Sequence, residues 1–266
     1  MMPKNENFDV EDVNRQIVTW LKSYAENAKV TGFVIGISGG VDSAVTSTLC
    51  AQTGFEVLCV EMPIHQAESQ VSLGREHIEQ LKKRFPNVKN TIADLTTTFD
   101  IFKNVMPIDA PEEKVKLTLA NTRARLRMTT LYYHAGINNM LVAGTGNKVE
   151  DFGVGFYTKY GDGGVDLSPI ADLMKSEVYK LGKYLQIPES IQIAAPTDGL
   201  FGDSRTDEEQ LGASYNELEW AMRTTSIGVS TSEYSEREKK VLEIYRKLNK
   251  ANQHKMNEIP VCIIVK

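Results

Sequence analysis

Residues 38–43 (SGGVDS), which directly follow the apolar run 33–37 (FVIGI), are the part of this sequence best suited to chemistry. A strand that ends in a Gly- and Ser-rich turn and leads into a helix forms an anion site. Backbone N–H groups converge there, and the helix N-terminus adds about half a positive charge. The two glycines let phosphate oxygens approach the backbone closely, and the two serines add hydroxyl donors. The segment predicts a phosphate-binding loop; the alternative is a turn that only caps a helix.

Asp42 is the unusual member of this loop. A carboxylate among phosphates is repulsive unless a cation lies between them, so we interpret Asp42 as a Mg²⁺ ligand. The lysine of a Walker A loop is missing, because residues 43–45 (SAV) stand where Gly-Lys-Ser/Thr would be. The sequence therefore indicates a phosphate loop of another kind.

A second loop, 144–150 (GTGNKVE), resembles the first in layout. It offers the hydroxyl of Thr145, backbone donors and the carboxylate of Glu150 at the end of a predicted strand. Asp42 and Glu150 could then hold Mg²⁺ ions between them, which would neutralise charge on a pyrophosphate leaving group. The alternative makes Glu150 a first-turn helix acid or a solvated charge.

A third group, residues 156–166 (FYTKYGDGGVD), places aromatic side chains next to Lys, Asp and flexible glycines. This composition suits a pocket for a polar ligand that carries a planar ring. Lys159 could pair with a carboxylate or phosphate, and Asp162 or Asp166 could accept hydrogen bonds from ribose hydroxyls. Taken alone, such a cluster is more often a turn-rich surface loop.

Polar residues on a long predicted helix form two pairs. Asn121 and Arg125 are four apart and share a face, and Arg123 and Arg127 form a second pair at the same spacing. One face could look into the site while the other meets solvent or a partner. A solvated face is the default interpretation for basic helix residues.

Three further basic residues lie towards the C-terminus. Lys175 stands at a predicted helix start, where a cation is mildly unfavourable, so a nearby anion would explain it. His254 and Lys255 lie in a polar segment, where a surface role is the default.

The elements that must position these residues alternate along the chain. Strands are predicted at 33–37, 56–62, 90–95 and 139–143, with helices at 9–28, 42–52, 68–84 and 112–135. Short apolar strands separated by helices predict an α/β protein with a doubly wound parallel sheet and helices on both faces. Ligands of such sheets bind at the carboxyl ends of the strands, where both Gly-rich loops lie.

The second half of the sequence is less regular. Residues 144–167 show no periodic pattern, and a loop of that length is usually functional or mobile. Helices are predicted again at 175–186, 207–223 and 235–250, and the turn-rich segment 197–207 reads as a flexible flap. Because no repeat or linker divides the chain, we predict a single domain over residues 1–266.

Composition narrows the class of protein. The 266 residues are 41% hydrophobic and 24% charged, which is typical of a globular protein with a full core. The net charge of -5 argues against nonspecific nucleic-acid binding. The three cysteines form no metal-type pattern, no signal peptide is visible, and no apolar run approaches the ~20 residues of a membrane span. We expect a soluble cytoplasmic protein with no nucleic-acid or membrane partner.

Together these motifs resemble a known family. SGGVDS, GTGNKVE, GFYTKYGDGGVDLSPIADLMKSEV, APTDGL with RTDEEQLGASYNELE, and a late HK are similar, in this order, to the ammonia-dependent NAD⁺ synthetases. That family belongs to the ATP-pyrophosphatase (PP-loop) group, with an adenine nucleotide alpha-hydrolase-like fold. The resemblance runs from about residue 13 to 256, and the small departures are Val149 and the flap reading GLFGDSR.

The resemblance implies a two-step reaction that completes NAD⁺ biosynthesis. The nicotinate carboxylate of deamido-NAD⁺ attacks the α-phosphorus of ATP and gives an acyl-adenylate and pyrophosphate. Ammonia then attacks the activated carbonyl and releases AMP and NAD⁺. No enzyme nucleophile is needed, Mg²⁺ is the implied cofactor, and a homodimer is the implied assembly. The long helix and the helix at 9–28 are the candidate dimer elements. We also expect no glutaminase domain of the kind that glutamine-using relatives carry.

The resemblance also assigns residues. ATP binding falls to Gly36, Ile37, Ser38, Gly39, Gly40, Val41, Asp42, Ser43, Thr145, Lys175 and Thr197, deamido-NAD⁺ binding to Arg125, Lys159, Asp166, His254 and Lys255, and metal binding to Asp42 and Glu150. Asp42 and Lys175 are the implied catalytic residues, and Asp162 of the same motif would act on the acyl-adenylate or ammonia.

Two rival functions remain at the level of sequence. One is another PP-loop adenylating enzyme, such as a tRNA-modifying sulfurtransferase, which the unpaired cysteines and the acidic charge balance disfavour. The other is a nucleotide-binding protein without catalysis, which the intact Asp42, Glu150, Lys175 and Lys159 disfavour.

Overall fold

The fold is built around a parallel sheet. A computed structural model of the chain describes residues 8–66, 68–107, 109–197, 206–227 and 234–265. The sheet has four strands, β1 (Gly32–Gly36), β2 (Glu56–Glu61), β3 (Val88–Ile92) and β4 (Met140–Val142), in the order β3-β2-β1-β4. All three pairings are parallel.

This strand order creates a switch point. The chain runs outward from β1 through β2 to β3, and then returns so that β4 pairs with β1 on its other side. The carboxyl ends of β1 and β4 therefore flank the crevice where such sheets bind ligands. An isolated parallel bridge between Ala143 and Leu167 extends the ladder beyond β4.

Ten α-helices accompany the strands in the described part of the chain. They are α1 (Val10–Ala28), α2 (Val41–Gln52), α3 (Glu68–Arg84), α4 (Thr96–Val105), α5 (Glu112–Asn138), α6 (Lys175–Tyr184), α7 (Glu189–Gln192), α8 (Asp207–Leu211), α9 (Tyr215–Ile227) and α10 (Glu236–Met256). A π-helical segment spans Val149–Val154. None of the described helices is long and apolar enough to cross a membrane.

Side chains that alternate along β1 fill separate cores on the two faces of the sheet. Phe33 and Ile35 are fully buried with residues of α1, α2, α3 and α6, whereas Val34 packs with β2, β4 and α5. Apolar burial on both faces stabilises a parallel sheet, because neither face is left to solvent. The predicted doubly wound sheet with helices on both faces is confirmed.

A third hydrophobic cluster lies around the π-helical segment. Val149 and Val154 pack there with Met174 and with side chains of α9 and α10, such as Leu218 and Leu242. This cluster anchors part of the segment 144–167, in which the sequence shows no periodic pattern.

Several predicted boundaries are wrong. The third strand lies at Val88–Ile92 rather than 90–95, because the segment after it turns into α4, a helix that the sequence analysis missed. The predicted helix 207–223 is two helices, since Gly212 adopts a φ of 76° and ends α8. Helix α10 continues past residue 250, so His254 and Lys255 lie in its last turn. Residues 198–205 of the predicted flap lie outside the described residues.

Candidate active site

The loop after β1 is shaped by backbone conformation and by its serines. Gly39 has a φ of 86°, a left-handed conformation that favours glycine. Ser43 Oγ donates to the Gly40 carbonyl at 3.0 Å and accepts from the Ser38 N–H at 3.3 Å. No side chain caps the start of α2 at Gly40, so its first N–H groups can meet an anion.

Asn147 organises the loop after β4. Its side chain is fully buried, and its Oδ1 accepts from the N–H groups of Val149 and Glu150 at 3.1 and 3.2 Å. Its Nδ2 donates to Asp42 Oδ1 at 3.2 Å. One amide therefore fixes the start of the π-helical segment and connects the two loops.

Lys175 joins the two predicted metal ligands. Its Nζ lies 2.5 Å from Asp42 Oδ2 and 3.1 Å from Glu150 Oε1, and the residue is only 3% exposed. Burial acts to lower the pKa of this amine, but the carboxylates of Asp42 and Glu150 outweigh burial and hold the pKa above its usual value. Lys175 is therefore a permanent cation, and the predicted nearby anions are Asp42 and Glu150.

These groups line one cavity of about 320 Å³, here called the inner pocket. Its lining includes the predicted residues Gly36, Ile37, Ser38, Gly39, Gly40, Val41, Asp42, Thr145, Glu150, Asp162, Lys175 and Thr197. Ser43 is buried behind the loop and is not part of the lining. The structure thus brings almost the whole predicted ATP and metal set to the carboxyl ends of β1 and β4.

Asp162 adds a carboxyl group with a shifted pKa to the inner pocket. It is exposed, yet the surrounding protein atoms desolvate the carboxyl group and raise its pKa to about 6, against the opposing effect of a hydrogen bond from the Thr158 N–H. Asp151 also has a pKa raised by desolvation and by Glu150, to about 8. Its carboxylate covers Gly146, where any Cβ would clash with it.

Four of the predicted deamido-NAD⁺ residues, Arg125, Lys159, His254 and Lys255, lie outside the inner pocket lining and form what we call the outer cluster. Arg125 Nη2 donates to the Lys159 carbonyl at 3.3 Å, and Lys159 Nζ donates to the His254 carbonyl. Lys255 Nζ donates to the carbonyls of Gly155 and Tyr157 at 2.8 and 2.7 Å. Burial lowers the pKa of Lys255.

Asp166 stands apart from the outer cluster. Its Oδ2 accepts from the Val142 N–H at 2.8 Å, and its Oδ1 accepts from the Tyr132 hydroxyl at 3.0 Å. Both oxygens thus bind the segment after Gly164 to β4 and α5, and each retains a lone pair for a further donor.

The two residue pairs of α5 are used differently from the sequence interpretation. Asn121 accepts from Thr158 Oγ1 at 2.6 Å, so it contacts the 156–166 segment together with Arg125. Arg123 packs over the Phe99 ring at 4.3 Å, whereas Arg127 lines the inner pocket. The four-residue spacing could not reveal this division, because α4 was not predicted.

Sequence reasoning assigned no specific role to three residues of the site: Asn147, Arg127 and Asp207. Asn147 stood inside the motif GTGNKVE without a role, and Asp207 lines the inner pocket although only its helix was predicted. Arg127 donates from Nε to the Met62 carbonyl at 3.1 Å, a contact between α5 and the end of β2.

This chain is similar to known proteins. A family model described as NAD synthase matches residues 13–259. The chain belongs to the NAD synthase family. It is therefore an enzyme, a ligase that forms carbon–nitrogen bonds.

Relatives span most of the chain. An NH₃-dependent NAD⁺ synthetase of Carboxydothermus hydrogenoformans is 34% identical over 94% of this chain and 98% of its own length. One from Mesoplasma florum is 40% identical over 76% of this chain and 80% of its own.

Solved structures agree on the fold. An NMN synthetase from Francisella tularensis superimposes with a TM-score of 0.83 at 30% identity, over 97% of this chain and 100% of its own. An NH₃-dependent NAD synthetase from Campylobacter jejuni gives a TM-score of 0.77 at 24% identity, over 96% and 100% of the two chains. The predicted PP-loop, adenine nucleotide alpha-hydrolase-like fold is confirmed.

Proposed function

We propose that this NAD synthase uses ATP and ammonia to convert deamido-NAD⁺ into NAD⁺, the last step of NAD⁺ biosynthesis, and that the inner pocket carries the chemistry. The observation that supports this most strongly is the convergence of Asp42, Glu150 and Lys175 beside the Gly39–Gly40 turn. A fixed cation and two carboxylates next to a phosphate loop form a site for nucleotidyl transfer.

In the first step, a nicotinate carboxylate oxygen bonds to the α-phosphorus of ATP while the bond to the pyrophosphate oxygen breaks. The N–H groups at the start of α2 bind phosphate oxygens. Lys175, with Nζ 2.5 Å from Asp42, stabilises negative charge that develops on the leaving pyrophosphate. Thr145 and Thr197 line the same cavity and bind the nucleotide.

In the second step, ammonia bonds to the acyl carbon, the bond to the AMP oxygen breaks, and one proton is lost to give the amide. Asp162 is the carboxylate of the inner pocket suited to accept that proton. Its pKa, raised to about 6 by desolvation, lets it ionise near neutral pH while remaining a better base than an ordinary Asp.

Asp42 and Glu150 fit a magnesium site. Their oxygens already converge on one cationic group, at 2.5 and 3.1 Å from Lys175 Nζ. The described residues contain no group of three or more His, Cys, Asp or Glu side chains that could hold a metal ion by themselves. Mg²⁺ typically takes one or two carboxylates together with substrate phosphates, which is what this pair offers. When bound, the ion would neutralise charge on the pyrophosphate.

The outer cluster is the proposed site for deamido-NAD⁺. Arg125, Lys159 and Lys255 bring together positive charge from α5, the 156–166 segment and α10, and the His254 carbonyl accepts from Lys159. A dinucleotide carries a pyrophosphate that such a cluster can bind. Asp166 would accept from ribose hydroxyls with the lone pairs that its two contacts leave free.

A mononucleotide is the second candidate substrate. The Francisella tularensis structure with the TM-score of 0.83 is an NMN synthetase, and it is 30% identical to this chain. The corresponding acid would be nicotinate mononucleotide, which lacks the AMP half of deamido-NAD⁺. Both substrates would place the same nicotinate carboxylate at the ATP α-phosphorus. They differ only in the AMP half, which deamido-NAD⁺ alone carries.

The test is product formation by the purified protein with ATP, Mg²⁺ and either acid, run with ammonium chloride and separately with glutamine. We expect NAD⁺, AMP and pyrophosphate in equal amounts with ammonium, and a kcat/KM at least ~10-fold higher for deamido-NAD⁺ than for nicotinate mononucleotide, about 1.4 kcal/mol. A reversed ratio would assign the mononucleotide. If neither acid led to the release of pyrophosphate from ATP, the proposal would be overturned.

We also propose a homodimer of single-domain subunits that works in the cytoplasm. Exposed apolar side chains on α1 and α5, such as Trp20, Tyr24, Tyr133 and Ile137, support a partner surface there. The buried free thiols of Cys50 and Cys59 are compatible with a reducing compartment. Light scattering of the purified chain measures the assembly directly: a monomeric mass at assay concentrations would contradict it.

A further inference from the structure

Tyr215 lies directly behind the proposed metal ligand Glu150. It is the first residue of α9 and is only 5% exposed. Its hydroxyl donates to Glu150 Oε1 at 2.6 Å, and its ring lies 4.7 Å from Lys175 Nζ. One side chain thus contacts the anion and the cation of the inner pocket at the same time.

The hydroxyl has two carboxylate neighbours but a single hydrogen. Asp207 Oδ2 is 3.1 Å from the phenolic oxygen, compared with 2.6 Å for Glu150 Oε1. Since a hydrogen bond strengthens as the distance shortens, the hydrogen is directed mainly at Glu150. Asp207 is the weaker acceptor of a shared donor.

The two hydrogen bonds to the Glu150 carboxylate involve the same oxygen. Tyr215 and Lys175 each donate to Oε1, and within the described residues Oε2 has no hydrogen-bond partner. The phenol therefore fixes the rotation of the carboxylate and leaves Oε2 available to a ligand of the inner pocket, which Glu150 lines.

Tyr215 itself is held firmly. Its ring packs in the cluster with Val149 and Leu218, and its N–H donates to Glu208 Oε1 at 2.9 Å. The contact to Asp207 also reaches the nucleotide side of the pocket, since the Asp207 N–H donates to the Pro196 carbonyl at 3.0 Å, next to Thr197. A donor on such a fixed side chain can orient a ligand, because it does not move with it.

We infer that Tyr215 is a positioning residue: its hydroxyl holds Glu150 in the orientation that binds Mg²⁺ during adenylation. This rests on the proposed function, because it gives Glu150 the metal. Hydrogen-bond partners of metal ligands commonly change metal affinity by about 10–100-fold when removed. Tyr215 acts in this way on the carboxylate and is not part of the lining of the inner pocket.

The experiment compares Tyr215→Phe with Tyr245→Phe. The first removes only the hydroxyl and keeps the ring beside Lys175, whereas Tyr245 is a buried tyrosine of the same cluster with no carboxylate contact among the described residues. Mn²⁺ is the metal probe, titrated by electron paramagnetic resonance with the non-hydrolysable analogue AMPCPP present. We expect Tyr215→Phe to weaken Mn²⁺ binding by about 10-fold or more, and Tyr245→Phe to stay within about twofold.

Kinetics supply the readout that a purely structural role would not move. Tyr215→Phe should lower kcat at limiting Mg²⁺, and kcat should recover at least partly as the Mg²⁺ concentration is raised. The KM for deamido-NAD⁺ should stay within about threefold of the wild-type value. Circular dichroism and thermal unfolding check that both variants are folded.

The outcomes are separable from those of the proposed function. Unchanged Mn²⁺ affinity in Tyr215→Phe, with NAD⁺ formed by the wild type, would overturn the role of Tyr215 alone. Failure of the wild type to form NAD⁺ would overturn the proposed function, and the Mn²⁺ titration would still show whether Tyr215 orients Glu150.

Discussion

The inner pocket and the outer cluster hold their cations in opposite ways. In the inner pocket Lys175 is 3% exposed and pairs with two carboxylates, at 2.5 and 3.1 Å. In the outer cluster Arg125, Lys159 and Lys255 donate to backbone carbonyls instead. A buried cation paired with ionised groups keeps its charge, whereas a cation on neutral carbonyls retains charge to offer an anionic ligand.

The origin of the two regions also differs. The inner pocket is built on the ends of β1 and β4 and on the start of α6, all of which are packed around the sheet. The outer cluster combines α5, the 156–166 segment and the last turn of α10. We therefore expect changes in the inner pocket to affect catalysis, and changes in the outer cluster to affect recognition of the second substrate.

The largest effect is expected from Asp42→Ala. It removes a proposed metal ligand and one of the two partners of Lys175, so adenylation should fall by about 1,000-fold or more while the fold survives. Pyrophosphate release measures the adenylation rate, and circular dichroism shows whether the variant is folded. Turnover at the wild-type rate would remove Asp42 from the site.

Lys175→Met tests whether the inner pocket is specific for ATP. The variant loses the cation and leaves Asp42 and Glu150 facing each other, so kcat/KM for ATP should fall by about 100-fold. Deamido-NAD⁺ binding, measured by calorimetry, should change less than about threefold. Equal losses for both ligands would mean that the two regions are not separate.

Asp162→Asn tests the pH dependence. Because the pKa of Asp162 is raised to about 6, chiefly by desolvation, the wild-type rate should fall as pH drops through that value. Asp162→Asn should remove this acid limb and lower the rate at pH 7.5 by about 10- to 100-fold. A pH profile with the limb intact would assign it to another group.

The same group has a predictable effect on stability. The folded-state pKa of Asp162 lies above the usual value of 3.8, so the folded protein binds the extra proton between the two values. Its contribution to stability is therefore largest at acid pH and declines as pH rises through about 6. Thermal unfolding of Asp162→Asn should lack this decline.

The smallest effect is expected from Arg125→Ala in the outer cluster. Loss of its guanidinium should raise the KM for deamido-NAD⁺ by about 10-fold and leave the KM for ATP within about twofold. Lys83→Ala is a suitable control, since this exposed lysine lies on α3, away from both regions. A larger increase in the KM for ATP than in the KM for deamido-NAD⁺ would reverse the assignment of the two regions.

Local sequence patterns were sufficient for the sheet and for the phosphate loop. The apolar runs at β1 and β2 and the Gly-rich turn after β1 depend on neighbouring residues, so they could be predicted. The predicted ends of strands and helices were wrong where tertiary packing decides them. Examples are β3, which ends at Ile92, and α8, which is capped by Gly212. Helix α4 was missed, although Phe99 of that helix is buried.

The family resemblance supplied residue assignments that geometry alone would not give. It assigned Asp42 and Lys175 to ATP and assigned Asp42 and Glu150 to the metal, and in the structure Lys175 contacts both carboxylates. It also grouped Asp166 with Lys159, but the structure directs both oxygens of Asp166 towards Val142 and Tyr132.

By itself, the sequence determined the chemical inventory: a phosphate loop, two carboxylates, a lysine and a parallel sheet to carry them. Only the tertiary structure decided that Asn147 binds Asp42 across 105 residues and that Lys175 reaches it across 133. It also decided that Tyr215 lies 2.6 Å from Glu150. The physical reason is that local propensity depends on neighbours in the chain, whereas these contacts form only when β4 returns to pair with β1.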